Sequence, residues 1–416
     1  MVHLGRGYGY QIVFHIEYVE NSKMKTELFP YSLNPYTNPC NTLQRFLLLN
    51  RSTDKETNLS SDFVTNEEIV QAARRRLSQG PWDYLTGATE SETTMRRNRL
   101  AFDRLAFRPR ILADVSSVDT STTLLGHDLR IPVLLAPIGG LQNFHPEGGV
   151  AVARAAGEFG TLHVVSSATL PTLEETSAAS ERSKIYQLYI RGDWEWTKDM
   201  IDRAKSAGYK GLCITVDSAI YSRRERPLIS RWSIDATRDP QNREWQAKTT
   251  WDDIVKMKEY GNQPFMLKGI ATAEDAKLAV EHGVDVVWVS NHGGRQLDHG
   301  LGTLDMMAEI TEVVGDKADI VVDGGVLRGS DVLKALALGA KAVGIGKLQG
   351  WGLAADGADG VVRVLEILAE EMRVAMGLMG ITSVGQLNES SICPAEAPTP
   401  SHEMSAWVNI PGNRLL

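Results

Sequence analysis

Val284-Asp285-Val286-Val287-Trp288-Val289-Ser290 is followed, after a turn-rich segment and a helical one, by Ala318-Asp319-Ile320-Val321-Val322-Asp323-Gly324-Gly325. Neither run alternates apolar with polar residues as a half-exposed strand does. Near-continuous apolar strands are buried on both faces, which implies a parallel sheet covered by helices. Working outward, the same kind of run recurs at Ile131–Gly139, Leu162–Ser167, Ile185–Ile190, Gly211–Ser218, Pro264–Ile270 and Ala342–Lys347. Helical patterns separate them, among them Glu147–Phe159, Glu195–Ala207, Ala273–His282, Ser330–Leu338 and Val361–Met376. With the two runs quoted first, the strands number eight, which favours a closed (β/α)8 TIM barrel over an open doubly wound sheet. An open sheet would also carry a dinucleotide fingerprint after its first strand, and Pro137-Ile138-Gly139-Gly140 is not one. Ahead of the barrel, Asn66–Gln79 reads as the helix of an N-terminal arm, with Thr65 as N-cap and Glu68 completing a capping box. Residues 219–250 are too long for an ordinary loop after strand 4, and long loops at that face are lids or binding loops.

Beyond the alternation the chain changes character. Residues 1–62 mix Tyr8, Tyr10, Phe14 and Tyr18 with Asn, Ser and Thr and read as a poorly ordered extension. Residues 391–416 carry Pro394, Pro398, Pro400 and Pro411 among small polar residues and read as a disordered tail. Residues 63–390 are then the folded domain. Lys and Arg total 44 against 52 Asp and Glu, a net charge of −8, which lacks the basic footprint of a nucleic-acid binder. No apolar run approaches the roughly 18 residues of a membrane span. Cys40, Cys213 and Cys393 are too scattered for a disulfide framework or a metal site, and no metal is expected. Glu17, Glu20 and Glu27 argue against a transit peptide, and Arg414-Leu415-Leu416 is not a Ser-Lys-Leu address, so the cytoplasm is the default expectation.

Barrel enzymes keep their sites at the C-terminal ends of the strands. Here those ends are Pro137-Ile138-Gly139, Ser166-Ser167, Gln187-Leu188-Tyr189, Thr215-Val216-Asp217, Lys268, Ser290-Asn291-His292-Gly293-Gly294-Arg295, Asp323-Gly324-Gly325 and Gly344-Ile345-Gly346-Lys347. A scaffold has no use for a Lys, an Asp, a His and an Arg converging on one barrel mouth, because each is costly to bury unpaired. The convergence points to an enzyme. The glycines of strands 7 and 8 suit a phosphate held by backbone N–H groups, with Arg328 and Lys347 as cations.

These motifs resemble the FMN-dependent 2-hydroxy acid oxidase and dehydrogenase family, which includes glycolate oxidase, lactate oxidase and the flavin domain of flavocytochrome b2. The likeness covers about residues 62–388 and is most specific at Ser290–Asp298, Asp323–Val326 and Lys334–Ala340. It implies FMN as cofactor, a small carboxylate as substrate, oxygen or another electron acceptor, and a homotetramer. It implies His292 as the base and Asp217 as the carboxylate that orients it. Arg224 and Arg295 become the substrate-carboxylate clamp, Tyr84 and Tyr189 the phenols that hydrogen-bond substrate, and Lys268 the cation beside the flavin. Pro137, Ile138, Gly139, Ser166, Gln187, Thr215, Ser290, Asp323, Gly324, Gly325, Arg328, Gly346 and Lys347 become cofactor contacts. Arg224 lies in Arg223-Arg224-Glu225-Arg226, a run that by itself reads as a solvated face, and only the resemblance selects it. The implied reaction takes an (S)-2-hydroxy acid to the 2-oxo acid. His292 removes either the hydroxyl proton, as the Cα hydrogen passes to the flavin, or the Cα proton itself.

Three departures stand out. Leu327 replaces the family's first arginine after Gly-Gly-Val, Lys347 replaces an arginine, and Pro137-Ile138-Gly139 replaces Pro-Thr-Ala. Weaker FMN retention is the expectation. Ala168 stands where a tryptophan is common, which implies a bulkier substrate than glycolate or lactate. Two other readings stay open: a flavin oxidase of the same fold acting at an activated C–H beside a carboxylate on an amino- or ring-containing metabolite, and a flavin-poor non-catalytic relative.

Overall fold

Val133–Leu135 (β1), His163–Ser166 (β2), Lys184–Leu188 (β3), Leu212–Thr215 (β4), Phe265–Ile270 (β5), Val286–Val289 (β6), Asp319–Asp323 (β7) and Ala342–Ile345 (β8) form the staves of one cylinder. All are parallel, and β8 pairs back onto β1, so the sheet closes as the eight apolar runs imply. This is a computed structural model, and it describes residues 62–234 and 244–397.

The strand side chains serve two cores. Leu134, Val164, Ile185, Cys213, Met266, Trp288 and Val321 point inward and fill the bore. Their neighbours along each strand, among them Val133, Leu135, Val165, Ile214 and Val322, pack outward against the helices. That inward and outward division explains why both faces of every strand are apolar. Trp288 is fully buried in the bore, and a Cβ at Gly344 would lie 2.5 Å from its ring, so glycine is required there. The hairpin Thr122–Leu124 and His127–Leu129 adds Leu124 and Leu129 to the inner core ahead of β1.

The arm is finer than its sequence suggests. Thr65 Oγ1 accepts the Glu68 N–H at 3.3 Å, whereas the Glu68 carboxylate reaches the Val64 N–H at 2.9 Å. The helix that begins at Asn66 ends at Arg76, and Gln79–Thr86 is a second one, with Pro81 in its first turn, where a missing N–H costs least. A third, Thr93–Asp103, lies against the barrel mouth. At the other end, Lys347–Met379 is longer than the periodicity implies and breaks at Asp356 and Gly357 into two helical pieces.

The C-terminal boundary is a correction. Ile392–Pro394, placed in the tail by composition, is a strand antiparallel to Leu105–Phe107, with Phe107 opposite Ile392. Proline is tolerated because this two-stranded pairing leaves edges. The proposed N-terminal extension, up to residue 61, and the tail beyond residue 397 lie outside the described residues.

Candidate active site

The turn after β6 holds His292, Gly293 and Gly294 at φ 60°, 66° and 77°. Glycine adopts that left-handed region without strain, but histidine does not. His292 is kept there by its neighbours: its N–H donates to Ser290 Oγ at 3.0 Å, and the Gly294 N–H donates to the Asn291 carbonyl at 3.0 Å. Its ring Nδ1 lies 2.9 Å from Asp217 Oδ1, which fixes the proton on Nδ1 and turns Nε2 into the acceptor. Nε2 faces the Tyr189 hydroxyl at 3.5 Å. Burial pushes the His292 imidazolium down, and Lys268 and Arg224 add to this against the opposing pull of Asp217. Burial also works against the Asp217 carboxylate, but His292 and Lys268 hold it below the usual range. The resting pair is therefore ionised Asp217 and neutral His292, a base ready to accept a proton at Nε2. Tyr189 is pushed up to about 12, chiefly by burial, and stays a neutral donor.

A second buried cluster lies beside the first. Lys268 Nζ donates to Ser290 Oγ at 2.8 Å and pairs with Asp323 Oδ2 at 3.1 Å, while Ser290 Oγ donates to Asp323 Oδ1 at 2.7 Å. Burial opposes the Lys268 charge, but Asp323 and Asp217 outweigh it and hold the ammonium well above its usual range. A register shift in β5 between Lys268 and Ile270 aims this side chain into the mouth, at a glycine (Gly269, φ 114°) packed against Asp217. Across the cavity, Arg295 Nη1 donates to the carbonyls of Tyr84 and Gly87 at 2.6 and 2.8 Å, with its guanidinium 4.7 Å above the Tyr84 ring. Arg224 Nη2 donates to Gln296 Oε1 at 3.0 Å, and its Nε to the Arg295 carbonyl at 3.3 Å. Burial and the neighbouring Arg224 charge push Arg295 down to about 10.

These groups open onto a cavity of about 440 Å³, within the range that holds a cofactor and small substrate. It brings together Tyr84, Pro137, Ile138, Gly139, Tyr189, Arg224, Lys268, His292, Arg295, Asp323, Gly324, Gly325, Gly346 and Lys347 among its walls. Asp217, Ser166, Gln187, Thr215 and Ser290 are not wall residues but back the walls from the strand ends. Arg328 is a correction: it caps the helix Gly329–Ala337 and pairs with Glu371 at 2.7 Å, outside the cavity lining. Sequence reading also missed Asn98 and Arg99, which reach the wall from the arm helix, and Gln246. Gln246, from Glu244–Lys248 in the long loop after β4, accepts the Ile190 N–H at 2.7 Å and donates to the Thr215 carbonyl at 2.9 Å, sealing two strand ends. No local spacing signals such contacts across distant segments. His282 stacks on Trp251, and His299 lies 3.9 Å from Asp298.

Residues 73–394 match the family described as FMN-dependent dehydrogenase. The chain belongs to that family. A peroxisomal (S)-2-hydroxy-acid oxidase of Oryza sativa subsp. japonica is 39% identical over 349 residues, covering 79% of this chain and 95% of the relative. An L-lactate oxidase of Nostoc sp. is 38% identical, covering 78% and 96%. Among solved structures, a crystal structure of mandelate oxidase is 36% identical with a TM-score of 0.75, covering 80% of this chain and 99% of that one. The FMN-dependent dehydrogenase family is one of oxidoreductases, and the flavin its name specifies can be tested against the cavity. Gln187 Oε1 and Nε2 and Thr215 Oγ1 are buried and have no hydrogen-bond partner among the described residues. Buried polar groups are rarely left so. A flavin ring, with donors and acceptors along one edge, would satisfy them. At the other end, Gly346 has open space where a Cβ would stand and caps the helix starting at Lys347, with Gly324 and Gly325 also in the cavity lining, an arrangement suited to a phosphate. The residues fit FMN, with Lys347 as the cation at its phosphate end and the Leu327 side chain adding none.

Proposed function

We propose that this chain oxidises an (S)-2-hydroxy acid larger than lactate to the 2-oxo acid and passes the electrons to dioxygen. The observation that carries this reading is the neutral His292, locked on one nitrogen by Asp217 at 2.9 Å, in a cavity that also presents Arg224 and Arg295. The two guanidiniums suit a planar two-oxygen anion and would hold the substrate carboxylate. Tyr84 and Tyr189 would hydrogen-bond the substrate beside them. With the carboxylate fixed, the 2-hydroxyl comes to His292 Nε2, which takes its proton; the imidazolium so formed is stabilised by Asp217, as in a triad. Gln187, Thr215, Lys268 and the glycine turns would hold FMN, which supplies the two-electron acceptor for the Cα hydrogen. Lys268 keeps a positive charge at that wall where negative charge develops.

Substrate size is read from the lining, which includes Ala168 together with Ile138, Phe144 and Leu170. The small Ala168 side chain leaves room there for a longer or aromatic substrate side chain. The similar proteins named as oxidases of hydroxy acids, lactate and mandelate support both the reaction class and dioxygen as acceptor. The test is anaerobic mixing of FMN-loaded protein with a panel of 2-hydroxy and 2-amino acids, followed by oxygen. Bleaching by an aliphatic or aromatic (S)-2-hydroxy acid, reversed by oxygen, is expected. Bleaching by amino acids only, or glycolate outrunning every longer acid, would reject the substrate assignment.

A further inference from the structure

The arm helix Thr93–Asp103 lies outside the barrel, yet Asn98 on it touches the base's own turn. Asn98 is 1% exposed, and its amide makes three hydrogen bonds. Its Oδ1 accepts from Asn291 Nδ2 at 2.7 Å and from the Thr303 N–H at 3.0 Å, and its Nδ2 donates to Asn291 Oδ1 at 2.9 Å. The two side-chain amides thus face each other in a closed, two-bond pair. Asn291 relays the contact: its Oδ1 also accepts the Gly294 N–H at 3.0 Å, and its Nδ2 also donates to the Leu301 carbonyl at 3.0 Å. Asn291 and Gly294 are the two ends of the left-handed turn that carries His292. On the other side, Thr303 donates its hydroxyl to the carbonyl of Asp323, whose carboxylate holds Lys268 and Ser290. A Cβ at Gly324 would lie 3.0 Å from Asn98 Nδ2, so the same amide also abuts the glycine turn after β7.

We propose that Asn98 is a positioning residue for the reaction: it sets the His292 turn relative to the Lys268–Asp323 cluster, so the arm and not the barrel alone fixes the site's geometry. This rests on His292 being the base. An aliphatic side chain at 98 would strip one bond from each end of the Asn291 amide and leave the Thr303 N–H unpaired. His292, held in a strained region by such bonds, would then relax toward ordinary backbone angles. Misplacing a reacting group by about 1 Å can cost about a hundredfold in rate.

The test compares FMN-loaded Asn98→Ala, Asn98→Asp and His292→Gln proteins with the wild type. FMN affinity is followed by flavin fluorescence, folding by circular dichroism, and kcat and KM across pH. The Asn98→Asp side chain still accepts from Asn291 and Thr303, and regains a donor only when protonated. Expected are FMN binding in all variants, and kcat down about tenfold to a hundredfold in Asn98→Ala with KM changed far less. The ratio of Asn98→Asp to wild-type kcat should rise as pH falls. An unchanged kcat in Asn98→Ala, or losses that vanish on correction for FMN content and leave that ratio flat with pH, would overturn the proposal. His292→Gln separates the two claims. If it turns over at close to the wild-type rate, the base assignment fails; if it loses about a hundredfold or more while Asn98→Ala is not impaired, only the positioning role fails.

Discussion

His292 is held in two ways at once, by a carboxylate on its ring and by a left-handed backbone beneath it. The ring contact makes a sign-definite prediction. Because burial lowers its pKa and the proposed reaction needs the neutral form, kcat/KM should fall as pH drops, with a midpoint below the ordinary histidine value of about 6.5. Asp217 pulls that pKa upward, so in Asp217→Asn the midpoint should move further down while the rate at neutral pH also falls; a midpoint moving up would contradict the geometry. Replacing His292 by Gln should cost about 10²- to 10⁴-fold in the rate of anaerobic flavin reduction while leaving FMN bound. Arg295→Lys keeps a charge but loses the planar fork that both grips Tyr84 and Gly87 and faces the cavity, so KM should rise about tenfold or more with a smaller effect on kcat. Strand-end position brought Lys268, Asp217 and His292 together, but a lone His there is more often structural, and the match over Ser290–Asp298 is what singled out His292. Arg328 was legible only as a charge, and nothing in its neighbourhood announced Glu371 on a distant helix as the partner that draws it away.

Helices and strands were easier to read than the contacts between them. Eight apolar runs with helical periods between them imply a parallel sheet buried on both faces, and their number favours closing it into a barrel. Only Asn66–Gln79 carried an N-cap and a period, which say that a helix exists but not where the arm docks, and nothing marked Thr93–Asp103 as its third helix. Its docking is visible in Arg99, which is buried, forks onto Asp331 at 2.6 and 2.8 Å, and donates to the Gly325 carbonyl at 2.8 Å. Breaking one side of a buried, bidentate ion pair costs about 3–5 kcal/mol. Arg99→Ala should therefore lower the unfolding free energy by that order in chemical denaturation and weaken FMN binding, because the Gly325 turn loses its brace. The strand at Ile392–Pro394 escaped for a different reason: three residues with a proline are too few to carry a period.

For the molecule as a whole, the unsatisfied amide of Gln187 and hydroxyl of Thr215 imply a barrel mouth that is costly without its flavin. FMN at a hundredfold excess over Kd should stabilise the fold by about 2.7 kcal/mol and raise Tm by several degrees. Riboflavin, which lacks the phosphate, should do so much less; equal shifts would place the binding energy entirely on the ring. With Leu327 adding no charge at the phosphate end, FMN should also leave on extensive dialysis, and full retention would contradict that. The pairing of Leu105–Phe107 with Ile392–Pro394 bears on how the chain is made. On the ribosome the first of these strands emerges long before its partner, at a pace of about 5–20 residues per second. The arm that carries Asn98 and Arg99 thus has this seam closed only after every barrel strand has emerged. A premature stop at Ser391 would spare every residue of the active site and still leave Leu105 and Phe107 on a bare strand edge, open to pairing with another molecule.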